Sequence, residues 1–396
     1  MKISVIQGDS FWQFSQLFQL SLPIIIASNS QLNPNQLMIG DDVNIPGFRS
    51  TNYTVQANDS LWTIAQANHL SVDVLMRVNP TIDPYQLQIG QTIIVPQRVT
   101  NLLIEDVNNY TYEKMLHDMQ QITELYPFIQ QRIIGNSVLN KEIIELTIGT
   151  GNRVKHINGA FHAQEWITTP VIMLFLNQYA LALTNNTSLR GWNVLDLFEA
   201  NTLSLVPMVN PDGVNLVING ATAAEDQEEF VLLLNNDNPD FSSWKANING
   251  VDLNNQYPAL WDIEQARKPD TPAPRDFPGY QPLTEPEAIA MANLAQDRPF
   301  EIVNAFHTQG EVIFWGYQGM EPPASETIVT EFSRVTGYEP IQYVDSYAGY
   351  KDWFIQEFQR PGYTVELGTG VNPLPIEQFD DIYQKTLGIM LATLYM

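Results

Sequence analysis

His162 and Glu165 stand three residues apart in the stretch Gly159-Ala160-Phe161-His162-Ala163-Gln164-Glu165-Trp166. At that spacing an imidazole and a carboxylate can meet one ion where a strand end turns into a helix. A catalytic zinc takes about three protein ligands and keeps a position open for water, so the pair fills only part of a shell. The chain has five histidines and no cysteine. Thiol nucleophiles, disulfide scaffolds and thiolate zinc sites are therefore excluded, and a metal must be held by histidine and carboxylate. Downstream, only His307 closes a strand-like run, Glu301-Ile302-Val303-Asn304-Ala305-Phe306-His307. Taken alone, a His-x-x-Glu pair is a weak signal, because short motifs recur by chance.

The elements around these residues give the pair a setting. Met115, Met119, Ile122 and Leu125 recur at helical spacing between Tyr112 and Tyr126, where Tyr126-Pro127 stops the helix. Ile133-Ile134-Gly135 and residues 142–149 read as a hairpin-like pair of strands, and residues 154–160 as a strand running into the His162 loop. Residues 168–183 read as a buried helix and residues 201–209 as a further strand. Strands alternating with long helices imply an α/β fold with a mixed, mostly parallel sheet flanked by helices, whose sites lie at strand C-terminal ends. Leu283-Thr284-Glu285-Pro286-Glu287 reads as a helix start with Thr284 as its cap.

Residues 1–47 and 51–97 repeat at a constant offset of 50. Asp9-Ser10-Phe11-Trp12 answers Asp59-Ser60-Leu61-Trp62, Asn29 answers Asn79, and Ile39-Gly40 answers Ile89-Gly90. A fixed period over so many positions marks duplicated modules. Each copy reads as strand, helix, helix, strand, with Asp59 or Ser60 and then Ser71 capping the two helices of the second copy. In the first copy Pro23 falls where the second helix begins, a place that tolerates proline. Both copies resemble LysM modules over nearly their full length, which implies binding of N-acetylglucosamine-containing glycan. The expected division is 1–47, 51–97 and 98–396, with residues 98–111 as connector.

With 44 acidic residues against 19 basic ones, the net charge of -25 opposes binding to nucleic acid and electrostatic adhesion to anionic lipid. The first residues lack an apolar signal core, and no run approaches the ~20 apolar residues of a membrane helix. The expectation is a chain without secretory signal or membrane span, made in the cytoplasm of a sporulating cell and released to act on wall or spore cortex.

From about residue 110 to the end, five motifs in order resemble the zinc carboxypeptidase family. They are residues 162–165, Asn210-Pro211-Asp212-Gly213, Gly250-Val251-Asp252-Leu253-Asn254, His307, and Thr364-Val365-Glu366-Leu367-Gly368. The resemblance implies one zinc per chain held by His162, Glu165 and His307, Glu366 as general base, and Asp252 orienting a ligand histidine. Asn254 and Asn255 fall among the substrate contacts, and Asn255 takes the place of the arginine that clamps a terminal carboxylate. An amide cannot form that charged, bidentate pair, which puts strict exopeptidase action in doubt. Lys245, after Trp244, aligns with the residue that polarises the scissile carbonyl. Tyr347, with Tyr350 as alternative, aligns with the substrate-contacting tyrosine, and Lys351 with the specificity position, where a lysine suits a carboxylate-bearing side chain.

Glycan modules joined to a peptidase without its carboxylate clamp point to a peptidoglycan stem-peptide hydrolase. Within the family, the resemblance is to bacterial γ-D-glutamyl-L-diamino acid endopeptidases. Two other readings remain: a metallocarboxypeptidase releasing one terminal residue, which product identification separates, and a non-catalytic wall-binding protein, which releases nothing.

Overall fold

The structure, a computed structural model, describes residues 1–396. The chain forms two compact units, one of Met1–Leu103, Gln120–Gln130 and Asn177–Asp196, the other of Ile104–Met119, Gln131–Leu176 and Leu197–Met396.

The first unit contains both repeats, and each has the expected order of elements. Strands Lys2–Ser4 and Asp42–Asn44 pair antiparallel around helices Phe11–Phe18 and Leu22–Ala27. Strands Phe48–Thr54 and Thr92–Arg98 do so around Leu61–Ala67 and Val72–Val78. Ser10, Ser60 and Ser71 each accept a backbone N–H three residues on, closing the open helix starts. The duplicated asparagine has a clear purpose. Asn29 donates to Ile25 O and Asn44 O and accepts the Asn44 N–H, and Asn79 does the same with Leu75 O, Ile94 O and the Ile94 N–H. One buried amide thus ties the second helix to the closing strand. Trp12 and Trp62, at matching positions, are each 63% exposed.

The repeats are not independent beads. Val74 of the second packs into the core of the first, and Arg77 reaches Asp9 and the Ser4 carbonyl. Residues 98–103 are also packed. Arg98 donates to Phe18 O and Thr184 O, the Asn185 amide to Val99 O, and the Leu103 N–H to the Asn177 side chain at 2.7 Å. Gly47 has a φ of +72°, and a Cβ there would come 2.7 Å from Thr184, so this close approach requires glycine.

The second unit is built on an eight-stranded sheet. Its strands are β1 (Gln130–Asn136), β2 (Glu142–Gly149), β3 (Arg153–Gly159), β4 (Asn201–Val206), β5 (Ile302–Thr308), β6 (Val312–Phe314), β7 (Glu339–Ile341) and β8 (Gly362–Leu367), in the order β7-β6-β8-β5-β3-β4-β2-β1. The four central strands run parallel, while β6 against β8 and β2 against β4 are antiparallel. β5 is buried at every position, as expected of a parallel strand covered on both faces.

Helix α1 (Thr168–Asn185) is apolar nearly all round. The helical stretch Ala163–Asn185 is long and apolar enough to cross a bilayer, yet 89% of its apolar window is buried in protein, as in a core helix. That length departs from the expectation that no run approaches a membrane helix, and its burial accounts for the apolar composition. Thr284 is not the cap it was expected to be. Pro286 takes the first helical position, so Glu285 becomes the cap residue, and the Thr284 hydroxyl lies on Gln256 Oε1 at 3.1 Å.

Candidate metal centre

β3 ends at Gly159, and Ala160 then takes a left-handed φ of 51°. A residue with a Cβ holds that conformation only when its surroundings impose it. Here the Ala160 N–H donates to the Thr168 hydroxyl at 2.8 Å, and that hydroxyl donates to Glu165 O at 2.9 Å. Thr168 thus folds the His162 loop back onto the start of α1. From the other side the Asn210 amide donates to Phe161 O and Ala246 O, and Gly213 leaves room for it. A Cβ at Gly213 would lie 2.6 Å from the Asn210 side chain and 2.8 Å from Ala163. The Asn210-Pro211-Asp212-Gly213 motif therefore braces the ligand loop.

His307 comes from β5, and β8 pairs with β5 in the register that sets Glu366 opposite it. His162 Nδ1 lies 2.9 Å from Glu165 Oε1, His307 Nδ1 lies 3.0 Å from Glu165 Oε2, and the two Nδ1 atoms are 3.2 Å apart. All three side chains are buried, and each points a donor atom at one centre. Ligands about 2.0–2.2 Å from a tetrahedral ion stand about 3.3 Å from one another, so this donor set fits zinc. The electrostatics agree. Burial opposes charge on His162, but the Glu165 and Asp252 carboxylates outweigh it and lift its pKa to about 9. Burial opposes charge on Glu165 too, and the histidines outweigh that and bring its pKa down to about 2. The site calls for a cation.

Asp252 is fully buried, with Oδ1 3.2 Å from His162 Nε2 and Oδ2 2.7 Å from Lys245 Nζ. It orients the imidazole and holds the lysine at once, and these partners keep it well below the usual carboxylate range against its burial. Lys245 also meets Asp276 at 3.0 Å, and its pKa is raised because its two carboxylates outweigh burial. Burial, and next the charge of Glu165, push Glu366 up to about 8. A bound dication would draw that value down.

The remaining expected residues divide. Asn254 accepts the Tyr350 N–H on its amide oxygen and gives its own N–H to Asp252, and Asn255 is buried beside it. Tyr347 is half-buried, its ring 5.0 Å from the Arg267 guanidinium. Tyr350 has no exposure and sits among Phe161, Tyr257 and Trp353, so of the two tyrosines only Tyr347 reaches solvent. Lys351 is 4% exposed, its ammonium on Gly316 O at 2.9 Å and on Asp352, because a buried cation must be paired. Its neighbour Asp352 lines a cavity together with Tyr317, Tyr343 and Tyr347. Sequence reasoning missed Asp276 and also Asn372, whose amide donates to Thr308 O at 2.8 Å and approaches Glu165 Oε1 at 3.4 Å. Both lie in irregular segments with no motif to mark them.

Comparison with known proteins agrees with this geometry. The zinc carboxypeptidase family profile matches residues 115–388, and the LysM domain profile matches residues 3–46 and 53–96. The chain is 59% identical over 396 residues, all of both chains, to gamma-D-glutamyl-L-diamino acid endopeptidase 1 of Lysinibacillus sphaericus. It is 46% identical over 302 residues to the uncharacterized protein YqgT of Bacillus subtilis (strain 168), covering 75% of this chain and 80% of that one. Among solved structures, bovine thrombin-activatable fibrinolysis inhibitor superposes with a TM-score of 0.54 at 17% identity, over 72% of this chain and 96% of that one. Carboxypeptidase A from Helicoverpa armigera gives 0.52 at 19%, over 72% and 73%, a likeness of fold alone. The profile match over residues 115–388 and the buried His-Glu-His triad at the ends of parallel strands agree: the chain belongs to the zinc carboxypeptidase family and carries two LysM domains ahead of its peptidase domain.

Proposed function

We propose that this chain hydrolyses the bond between a γ-D-glutamyl group and an L-diamino acid in peptidoglycan stem peptides, while its LysM modules hold it on the glycan. The observation that carries the reading is the metal triad with Glu366 opposite His307, in a chain that shares its whole length with an endopeptidase of that specificity. Zinc bound by His162, Glu165 and His307 would supply Lewis acidity and an acidified water. Glu366 takes the proton of the attacking water and returns it to the leaving amine. The Asp252 carboxylate faces His162 Nε2 at 3.2 Å and favours the tautomer that keeps its hydrogen there, which leaves Nδ1 free for the metal. Lys245 places a fixed positive charge beside the developing oxyanion.

Asn255 in place of a cationic clamp favours cleavage within a chain over release of its last residue. The exposed Trp12 and Trp62 offer flat faces for sugar rings, and attachment to the polymer raises local substrate concentration. The test is mass spectrometry of purified muropeptides digested by the zinc-loaded protein, with Glu366→Gln as control. A new diamino-acid amino terminus is expected. Release of single carboxy-terminal residues would replace this reading with a carboxypeptidase, and no release from any muropeptide would end it.

A further inference from the structure

After β8 the chain stays close to the metal centre. The Gly310 N–H donates to Gly368 O at 2.8 Å. The Gln378 side chain accepts the Thr369 N–H at 3.1 Å and donates to Thr369 O at 2.8 Å, and Leu374 is buried. Residues 368–374 are therefore pinned beside the end of β5, and Asn372 lies among them.

The Asn372 amide has one orientation. Thr308, which follows the ligand His307, donates its hydroxyl to Asn372 Oδ1 at 2.7 Å. Asn372 Nδ2 then faces two oxygens, Thr308 O at 2.8 Å and Glu165 Oε1 at 3.4 Å. A backbone carbonyl can only accept, so the nitrogen must be on that side, and its two N–H groups go one to each oxygen. The Glu165 carboxylate has two other partners, His162 Nδ1 at 2.9 Å on Oε1 and His307 Nδ1 at 3.0 Å on Oε2. Both are the nitrogens that face the metal position, so an ion bound there takes them away from Glu165. Once those contacts go, the Asn372 amide is the hydrogen-bond donor left to that side chain. His162 has Asp252 behind it to set its ring. Asn372 stands in the corresponding place for Glu165.

We propose that Asn372 is the positioning residue of the ligand carboxylate. Its amide holds Glu165 Oε1 and fixes that side chain against the end of β5, the strand that carries His307. The inference rests on the metal assignment in the functional reading above. One ligand comes from the loop after β3 and another from β5, and Asn372 joins the two from the far side of the site.

The test uses the full-length protein and metal alone, with two readouts: competition for zinc with a chromophoric chelator, and the visible spectrum of the cobalt(II)-loaded form. Asn372→Ala removes both N–H groups. Zinc affinity should fall about 10-fold or more, as for other groups that orient a metal ligand. The cobalt spectrum should change as well, because a carboxylate without its anchor meets the ion differently. Thr308→Val keeps the strand and its carbonyl but removes the hydroxyl that sets the amide, so it should shift both readouts in the same direction by less. An amide that only ties residues 368–374 to β5 would lower the melting temperature and leave zinc affinity at the wild-type value, which overturns the proposal. A weaker affinity with a wild-type cobalt spectrum overturns it too, since the ligand carboxylate would then be unmoved. If Asn372→Ala fails to fold, Thr308→Val decides on the same two readouts, and wild-type values there overturn the proposal. No substrate enters these measurements, so a muropeptide left uncut bears on the functional reading alone. A wild type that binds no zinc removes the metal centre, and this proposal with it.

Discussion

Asp252→Asn tests the arrangement of the centre most directly. The native carboxylate takes three contacts, from His162 Nε2 at 3.2 Å, Lys245 Nζ at 2.7 Å and the Asn254 N–H at 3.1 Å. The amide keeps the shape but loses the charge, and it can offer an acceptor to only one of the two cationic or donor side chains. A hydrogen bond to a charged group contributes about 1.5–3 kcal/mol, and loss of the group that orients a ligand histidine weakens metal binding about 10–100-fold. That factor corresponds to about 1.4–2.7 kcal/mol of zinc affinity. The assay is competition for zinc with a chromophoric chelator, and the control is Asp276→Asn. The control removes one of the two partners of Lys245 but leaves His162 on Asp252, so it should bind zinc as wild type does while turning over more slowly. Unchanged zinc affinity in Asp252→Asn, or an equal loss in both variants, would refute the assignment of Asp252 as the group that sets the His162 imidazole.

Three further outcomes are expected. Glu366→Gln keeps the fold and the metal but removes the base, so zinc content should stay at one per chain while turnover falls by ~100-fold or more, and near-normal turnover would remove Glu366 from its role. His162 has a pKa of about 9 without metal and must lose its proton to bind one, so zinc affinity should rise with pH from 7 to about 9 and then level off. Calorimetry in buffers of different ionisation enthalpy should record proton release at pH 7, and a pH-independent affinity would contradict the electrostatics. Lys351→Met leaves the Asp352 carboxylate buried without its cation, which costs about 3–5 kcal/mol. Thermal melting should register that loss, and an unchanged melting temperature would mean the pair is open to solvent.

Much of this molecule is legible in the sequence because it is local. The offset of 50 exposed the two modules, since a helix cap or a helix-to-strand clamp such as Ser60 or Asn79 is set by residues close in the chain. Strand patterning put His162 and His307 at strand ends, where parallel sheets gather their sites, and the ordered motifs shared with the zinc carboxypeptidase family marked them, with Glu165, as ligands. What the sequence could not decide was the partner across a gap. That the Lys351 ammonium ends on Gly316 O, 35 residues away, as well as on its neighbour Asp352 follows from the packing of the helix Tyr350–Phe358 and from no local pattern. Tyr347 and Tyr350 are alike as residue types, and only the packing of Phe161, Tyr257 and Trp353 around Tyr350 separates them. Asp276 carries no motif, and its pairing with Lys245 arises from a loop folded back across 31 residues. Periodicity reports which face of an element turns inward, whereas the group it meets there is fixed by long-range packing, and burial makes that group decide charge and role.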